Sequence, residues 1–416
     1  MRQGMTNPHF NFADLFCGIG GFHQAMSSLG GECVFASDID FACKDMYLTN
    51  YKVDIFEGDI RHVNPKSIKP FDVLCAGFPC QPFSKAGNQH GFGDKDRGNL
   101  FFSILEIIDS HPEIKFLVLE NVRNLAKRQS EWWSVITHEL RSRGFCITEK
   151  PLILSPSMFG IPQIRERIYI LGVRNSIKDH TKLTNGFIHL DDLNLDEHYK
   201  KVELFDAMKI LEPNVSDRYD LAPEQAEMID AWEEFRLATK LTVVGYPIWL
   251  SYFGLGISDE TEFLKIFIPE TTPKWKEKYI LKNRNLYLQN KDFIDNWVKK
   301  HSMLTRTKLF QKFEWNCGTQ INTIKNSIIQ IRQSGIRAKL PTFFPSLVAI
   351  KNTPIIWDRV KGRYRKITPY EAAKLQSFQS NLIFPGSDNQ VYSQLGNAVN
   401  VKVIQLVAEN LFKLSN

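Results

Sequence analysis

The chain has 416 residues, 43% hydrophobic and 24% charged, with a formal net charge of +6, which suits one large core or two ordinary ones and a prior of two or three domains. It contains no run of 18 apolar residues and its N-terminus lacks an apolar signal-peptide core, so no membrane association is expected and a cytoplasmic location is. Seven cysteines, an odd number without paired Cys-x-x-Cys spacing, argue against a disulfide framework or a structural zinc site.

From Phe10 to about Arg174, short apolar strands alternate with amphipathic helical segments, the pattern of a doubly wound α/β sheet. The strand Asp14 to Phe16 runs into Cys17-Gly18-Ile19-Gly20-Gly21 and then a helical pattern from about Phe22 to Leu29. Glycines there permit a tight turn and close approach of a nucleotide-type cofactor. The next strand, Cys33 to Ser37, delivers Asp38 about 20 positions after the turn, where an acidic residue bonds ribose hydroxyls. His23 stands where a dinucleotide fingerprint has its third glycine, which favours a smaller adenosine cofactor.

A strand over Val53 to Phe56 is followed by Phe71 to Ala76, which opens into Gly77-Phe78-Pro79-Cys80-Gln81 and so displays a cysteine at a strand end. Asn99 to Ser110, with Leu100, Phe101, Ile104, Leu105 and Ile108 at helical spacing, reads as the crossover to a parallel strand Phe116 to Leu119 that ends in Glu120-Asn121. A right-handed crossover brings both strand ends to one sheet edge. Cys80 and Glu120 then face one cleft, a thiol nucleophile beside a carboxyl proton donor. Phe145 to Leu154 and Arg167 to Val173 are further strands.

After Arg174 the alternation stops. Pro223 opens a helix carrying Met228, Ile229, Trp232 and Phe235, and Asn283 to Lys300 reads as another. Asp191 to Glu270 holds about 18 acidic against about 7 basic residues, whereas Thr271 to Leu340 holds about 15 basic against about 4 acidic. The second stretch is the footprint of a phosphate-contacting surface. Within it Arg332, Ser334, Arg337 and Lys339 flank Gly335, joining backbone freedom to arginines able to bond guanine O6 and N7, with Arg337 the first choice. Thr368-Pro369 with Glu371 starts a helix, and the last helix spans about Asn400 to Phe412.

Asp14-Leu-Phe-Cys-Gly-Ile-Gly-Gly21, Gly77-Phe-Pro-Cys80-Gln81, Glu120-Asn-Val122, Gln163-Ile-Arg165-Glu-Arg167 and Gln394-Leu-Gly-Asn397-Ala-Val399 resemble, in order, the motifs of the bacterial cytosine-C5 DNA methyltransferases of restriction-modification type. The resemblance implies an S-adenosylmethionine-dependent sheet ending in an antiparallel pair. It also implies a catalytic and cofactor domain of residues 1–180 plus 394–416 around a smaller mixed target-recognition domain of residues 181–393. Cys80 would attack cytosine C6, Glu120 would bond N3 and the exocyclic amine, Arg165 would reach the flipped base and Arg167 would support it, while Gln81 and Asn121 shape the loop. Phe16, Gly18, Gly20, Asp38, Ile39, Asp59, Ile60, Leu100 and Asn397 match cofactor positions, with Asp59 accepting a bond from the adenine amine. The implied partner of this monomer is duplex DNA with a short target site, with no metal, and with a restriction endonuclease paired in function but not bound.

The short Thr-Leu or Thr-Val element that ends such recognition regions is not clearly present around Pro341 to Ile350. A tRNA-modifying reading of the same family meets the absence of that branch's Cys-Phe-Thr element. A nicotinamide oxidoreductase, suggested by the glycine turn and Asp38, leaves Cys80, Glu120 and the basic insert unexplained.

Overall fold

Near-continuous apolar runs bounded by turn residues become strands buried on both faces, and in the computed structural model they open the chain's main sheet. The structure describes residues 9–79, 99–127, 133–177, 183–184, 186–242, 246–347 and 352–415. In chain order the first elements are β1 (Phe10–Leu15), α1 (Gly21–Ser28), β2 (Gly31–Ser37), α2 (Phe41–Asn50), β3 (Ile55–Glu57), β4 (Val73–Gly77), α3 (Asn99–Ser110) and β5 (Phe116–Val122). There follow α4 (Asn124–Lys127), α5 (Ser134–Ser142), β6 (Phe145–Thr148), β7 (Leu152–Leu154), β8 (Arg167–Arg174), β9 (Leu183–Thr184) and β10 (Phe187–Ile188). The inserted region contributes α6 (Pro223–Ala238), β11 (Ile248–Trp249), α7 (Glu260–Phe267), α8 (Lys274–Gln289), α9 (Lys291–Lys300), β12 (Lys312–Asn316), β13 (Ile328–Arg332), β14 (Gly335–Lys339), β15 (Ile355–Asp358) and β16 (Arg363–Lys366). The chain closes with α10 (Pro369–Leu375), α11 (Asp388–Asn397) and α12 (Val401–Phe412).

The large sheet has the order β3-β2-β1-β4-β5-β8-β6-β10-β9, with β7 also paired to β8. Strands β1 to β5 are mutually parallel, and β8 runs antiparallel to β5, β6 and β7. Strand order reverses between β1 and β4, the switch point where doubly wound sheets open a ligand crevice at their carboxyl edge. The strand expected over Phe145 to Leu154 is two, because Pro151 lacks the N–H a ladder needs; β6 and β7 pair with successive parts of β8. Among the described residues no helix is long and apolar enough to cross a membrane.

The chain divides into two compact units, residues 1–202 with 345–351 and 369–416, and residues 203–344 with 352–368. The inserted unit is thus shorter at both ends than the expected 181–393. β9 and β10 extend the large sheet through β6, and α10 and α11 pack on each other within the first unit. In the second unit the sheet order is β11-β12-β14-β13-β15-β16, and its core includes Trp232, Phe235, Trp297, Phe313, Ile329 and Ile336. Trp232 stacks on Phe313 at 5.1 Å, and the indole N–H groups of Trp232 and Trp297 donate to the Phe310 and Ala231 carbonyls. The helix expected over Asn283 to Lys300 is likewise two, α8 and α9, broken where Asn290 takes φ −130° and ψ 29°.

Candidate active site

Three residues of the five-residue turn after β1 are left-handed: Phe16 (φ 55°), Gly18 (φ 53°) and Gly20 (φ 79°). The αL position strains a phenylalanine, a conformation that clusters at ligand sites. The turn is pinned by Asp38, whose Oδ2 accepts from the Gly18 amide (2.8 Å) and whose Oδ1 accepts from the Asp40 amide (2.9 Å). Burial raises the Asp38 carboxyl above its ordinary range, against the lowering effect of those two amides. Gly20 sits just before α1, and a Cβ on it would lie 2.2 Å from the Tyr51 ring.

Beyond the turn lies a cleft of about 840 Å³ within the first unit. Eight of the nine expected cofactor residues line it: Phe16, Gly18, Asp38, Ile39, Asp59, Ile60, Leu100 and Asn397. Gly20 does not; its conformation shapes the turn instead. The size falls in the range of small-molecule sites, and apolar Phe16, Ile39, Ile60 and Leu100 with two carboxylates suit a nucleoside bearing hydroxyl and amine donors. Arg61, also on the lining, bonds both Asp59 oxygens (Nε at 2.9 and 3.0 Å, Nη2 at 2.5 Å) and holds that carboxyl below its usual range. An adenine amine would therefore have to share Asp59 with Arg61. The lining also takes in Cys17, Cys43 and Gln394, which sequence reasoning passed over. Cys17 and Gln394 lie within the quoted motifs, which was their signal, while Cys43 had none.

Glu120, Asn121, Arg165 and Arg167 also line the cleft. Glu120 lies two residues before the end of buried β5 and is 8% exposed. Its Oε1 lies 3.0 Å from Arg167 Nε. Burial pushes the Glu120 carboxyl up, opposed first by Arg167 and then by Arg165. Asn121 donates to the Phe78 carbonyl (3.2 Å), fixing the backbone after β4. Gly77, Phe78 and Pro79 line the cleft, while Cys80 and Gln81 lie outside the described residues.

The arrangement of the two arginines departs from the expectation. Arg165 donates to the carbonyls of Leu347 (3.1 Å), Gly396 (2.9 Å) and Ala398 (2.8 Å) and to the Ser346 hydroxyl (3.2 Å). Burial lowers it to about 9. Both of its Nη groups are committed to chain segments while its buried Nε has no partner, so it anchors the C-terminal end of α11 at Asn397, and Arg167 is the guanidinium against Glu120. Arg165 also precedes β8, whereas Arg167 is its first residue, so strand alternation does not relate the two side chains.

In the second unit Arg332 and Arg337 lie on the β13–β14 hairpin, which turns through Gln333 and exposed Ser334. Both arginines pair with Glu314 of β12, and Lys339 is half-buried with a lowered pKa, from burial first and then from the two arginines. Of the stretch Pro341 to Ile350, which lacks a clear Thr-Leu or Thr-Val element, residues 348–350 lie outside the described residues.

A parallel-rich, doubly wound sheet carrying this cleft at its carboxyl edge is the frame of an α/β protein with a nucleotide-type ligand site. Residues 10–413 match the C-5 cytosine-specific DNA methylase family. Type II methyltransferase M.AluI of Cellulosimicrobium cellulans is 30% identical over 96% of this chain and 91% of its own. M.BanI of Aneurinibacillus aneurinilyticus is 34% identical over 97% and 95%. Among solved structures, S. pombe Dnmt2 methyltransferase matches with a TM-score of 0.56 at 17% identity over 97% of this chain and 98% of its own, a likeness of fold. The chain belongs to the C-5 cytosine-specific DNA methylase family, and it is a DNA cytosine-C5 methyltransferase.

Proposed function

We propose that this enzyme flips a target cytosine out of duplex DNA and methylates C5 through a covalent bond between Cys80 and C6. The observation that carries the reading is the buried Glu120 carboxyl, oriented by Arg167 and shifted toward its protonated form, on the strand parallel to the one leading into Pro79-Cys80. C5 is a weak nucleophile until C6 is attacked. Thiolate addition by Cys80 places electron density on C5, while Glu120 shares a proton with N3 and accepts from the exocyclic amine. S-adenosylmethionine, when bound, supplies an electrophilic methyl group. Asp38 and Asp59 would hold its hydroxyl and amine donors, Ile39 and Leu100 its flat ring, and Phe16, Gly18 and Asn397 its amino-acid end. Loss of the C5 proton then expels Cys80. Flipping costs a few kcal/mol, which DNA contacts must offset, and the basic second unit is where we place them.

Arg332, Ser334, Arg337 and Lys339 are the proposed recognition residues, facing a short specific site. The relatives' type II naming supports a role in protecting host DNA beside an endonuclease that acts on the same site without binding this chain. We place the enzyme in the cytoplasm as a monomer. A duplex bearing 5-fluorocytosine at the target tests the chemistry, since fluorine cannot leave as a cation. The expected product is a denaturant-resistant adduct that needs S-adenosylmethionine, maps to Cys80 and is absent for Cys80→Ser. An adduct at Cys17 or Cys75, or none with an active enzyme, refutes the mechanism. Methylation of tRNA with no methylation of duplex DNA would instead favour the RNA-acting reading.

A further inference from the structure

On the β12, β14 and β13 strands alternation separates two faces. Phe313, Trp315, Ile336, Ala338, Ile329 and Ile331 go to the core. The other face carries Lys312, Glu314, Arg332, Arg337 and Lys339, together with buried Ile328 and Gln330. Register sets Glu314, Arg337 and Gln330 abreast, Glu314 opposite Arg337 and Arg337 opposite Gln330. Four cations therefore share one carboxylate. Neither Lys312 nor Lys339 has a carboxylate partner among the described residues, Lys312 lying instead over the Trp249 ring at 4.9 Å.

Glu314 divides its two oxygens. Oε1 takes Arg332 Nη2 at 3.3 Å, and Oε2 takes Arg337 at both Nε and Nη2, each at 2.5 Å. Its side chain is only 16% exposed, against 28% for Arg337. A guanidinium gripped along its Nε–Nη2 edge has one fewer edge to offer and loses most of its rotamer freedom. What remains forward is the terminal Nη1–Nη2 pair, the fork that matches guanine O6 and N7.

We propose that Glu314 is a positioning residue for sequence discrimination: it holds Arg337 fork-outward toward a guanine of the target site, while Arg332 and the two lysines serve the flanking phosphates. This rests on the hairpin being the base-reading surface. It makes a prediction of mixed sign. A lone carboxylate on a cationic face repels DNA, so removing it should tighten binding to any sequence while loosening the choice among sequences. A merely structural glutamate would, when lost, weaken both.

The test uses the full chain carrying Glu314→Gln, Glu314→Asp or Arg337→Ala. Bisulfite sequencing of DNA from expressing hosts reads the methylated sites, and titration of a random-sequence duplex over a salt series reads general affinity. For Glu314→Gln we expect a preference for the wild-type site over its single-base variants that falls about ten-fold at one position, the range a bidentate contact supplies. Random-duplex affinity should rise, with a salt slope steeper by about one. Glu314→Asp keeps the charge but withdraws the carboxylate by one methylene, so it should lose discrimination with random-duplex affinity unchanged. It decides the matter should the glutamine variant not fold. Arg337→Ala should relax the same position. An unchanged site profile for both Glu314 variants with a relaxed one for Arg337→Ala overturns the role of Glu314 alone. If Arg337→Ala also keeps the wild-type profile, the hairpin reading itself fails.

Discussion

A carboxyl on a buried strand can stay ionised only if a cation meets it, and Glu120 has Arg167 at 3.0 Å yet still titrates upward because desolvation dominates. Its folded-state pKa lies above its unfolded value. Its stabilising share is therefore complete below the unfolded pKa and is lost as pH rises through the raised folded pKa, where the buried charge must form. Glu120→Gln removes that penalty. The variant should be more stable than wild type above the raised pKa and should transfer methyl groups roughly two to four orders of magnitude more slowly, the size of a general-acid contribution. Urea denaturation across pH and a tritium-transfer assay check the two halves, and wild-type turnover would remove Glu120 from the chemistry. Arg167→Gln takes away the charge that favours the ionised form, so the alkaline limb of the kcat/KM profile should move to higher pH. A limb that stays in place would deny the coupling. Glu120 was legible in the sequence because it follows an apolar strand; the division between Arg165 and Arg167 was not, since it depends on carbonyls of residues 347, 396 and 398, remote in sequence from both.

At the scale of the element, the turn from β1 to α1 shows what glycine spacing does and does not specify. Gly18 and Gly20 look equivalent in sequence and are both left-handed. A Cβ at Gly18 meets nothing within 4 Å, whereas one at Gly20 meets the Tyr51 ring at 2.2 Å. Gly18→Ala should thus cost about 1–2 kcal/mol of backbone strain and chiefly weaken cofactor binding, since that open space lies on the cleft lining. Gly20→Ala should destabilise the fold more, and Tyr51→Ala should recover part of that loss but not the strain. Thermal melts and S-adenosylmethionine titration separate these outcomes; equal stability losses would contradict the geometry. The same locality explains the reading of strands and helices. Alternation and capping located β4, β5, α3 and α6; the strand read over Asp14 to Phe16 is β1, Phe10–Leu15, with Phe16 already in the left-handed turn, while Pro151 and Asn290 each broke an element read as one. β9 and β10, two residues each, carry no periodic signal, so the join between the inserted unit and the large sheet was placed too early in the chain.

For the whole molecule, a unit built from both ends of the chain makes the last helix part of the core of the first. Asn400 caps α12 by accepting from the Val403 amide and donates to the Leu375 carbonyl. Phe412 packs edge-on against Phe10 at 5.2 Å and tilted against Phe116 at 4.7 Å. Leu411 is fully buried. The helix thereby fixes Asn397 and Ala398 at the cleft, a place they also owe to Arg165. Leu411→Ala should cost about 2–5 kcal/mol, felt by the first unit. Six of the eight tryptophans, Trp232, Trp249, Trp275, Trp297, Trp315 and Trp357, belong to the second, so intrinsic fluorescence reports chiefly on it and cofactor binding reports on the first. In urea, the variant should lose S-adenosylmethionine binding at a lower midpoint, with the fluorescence transition near its wild-type position if each core holds its own unit. A fluorescence transition displaced by the same amount would mean that the two units unfold as one cooperative body.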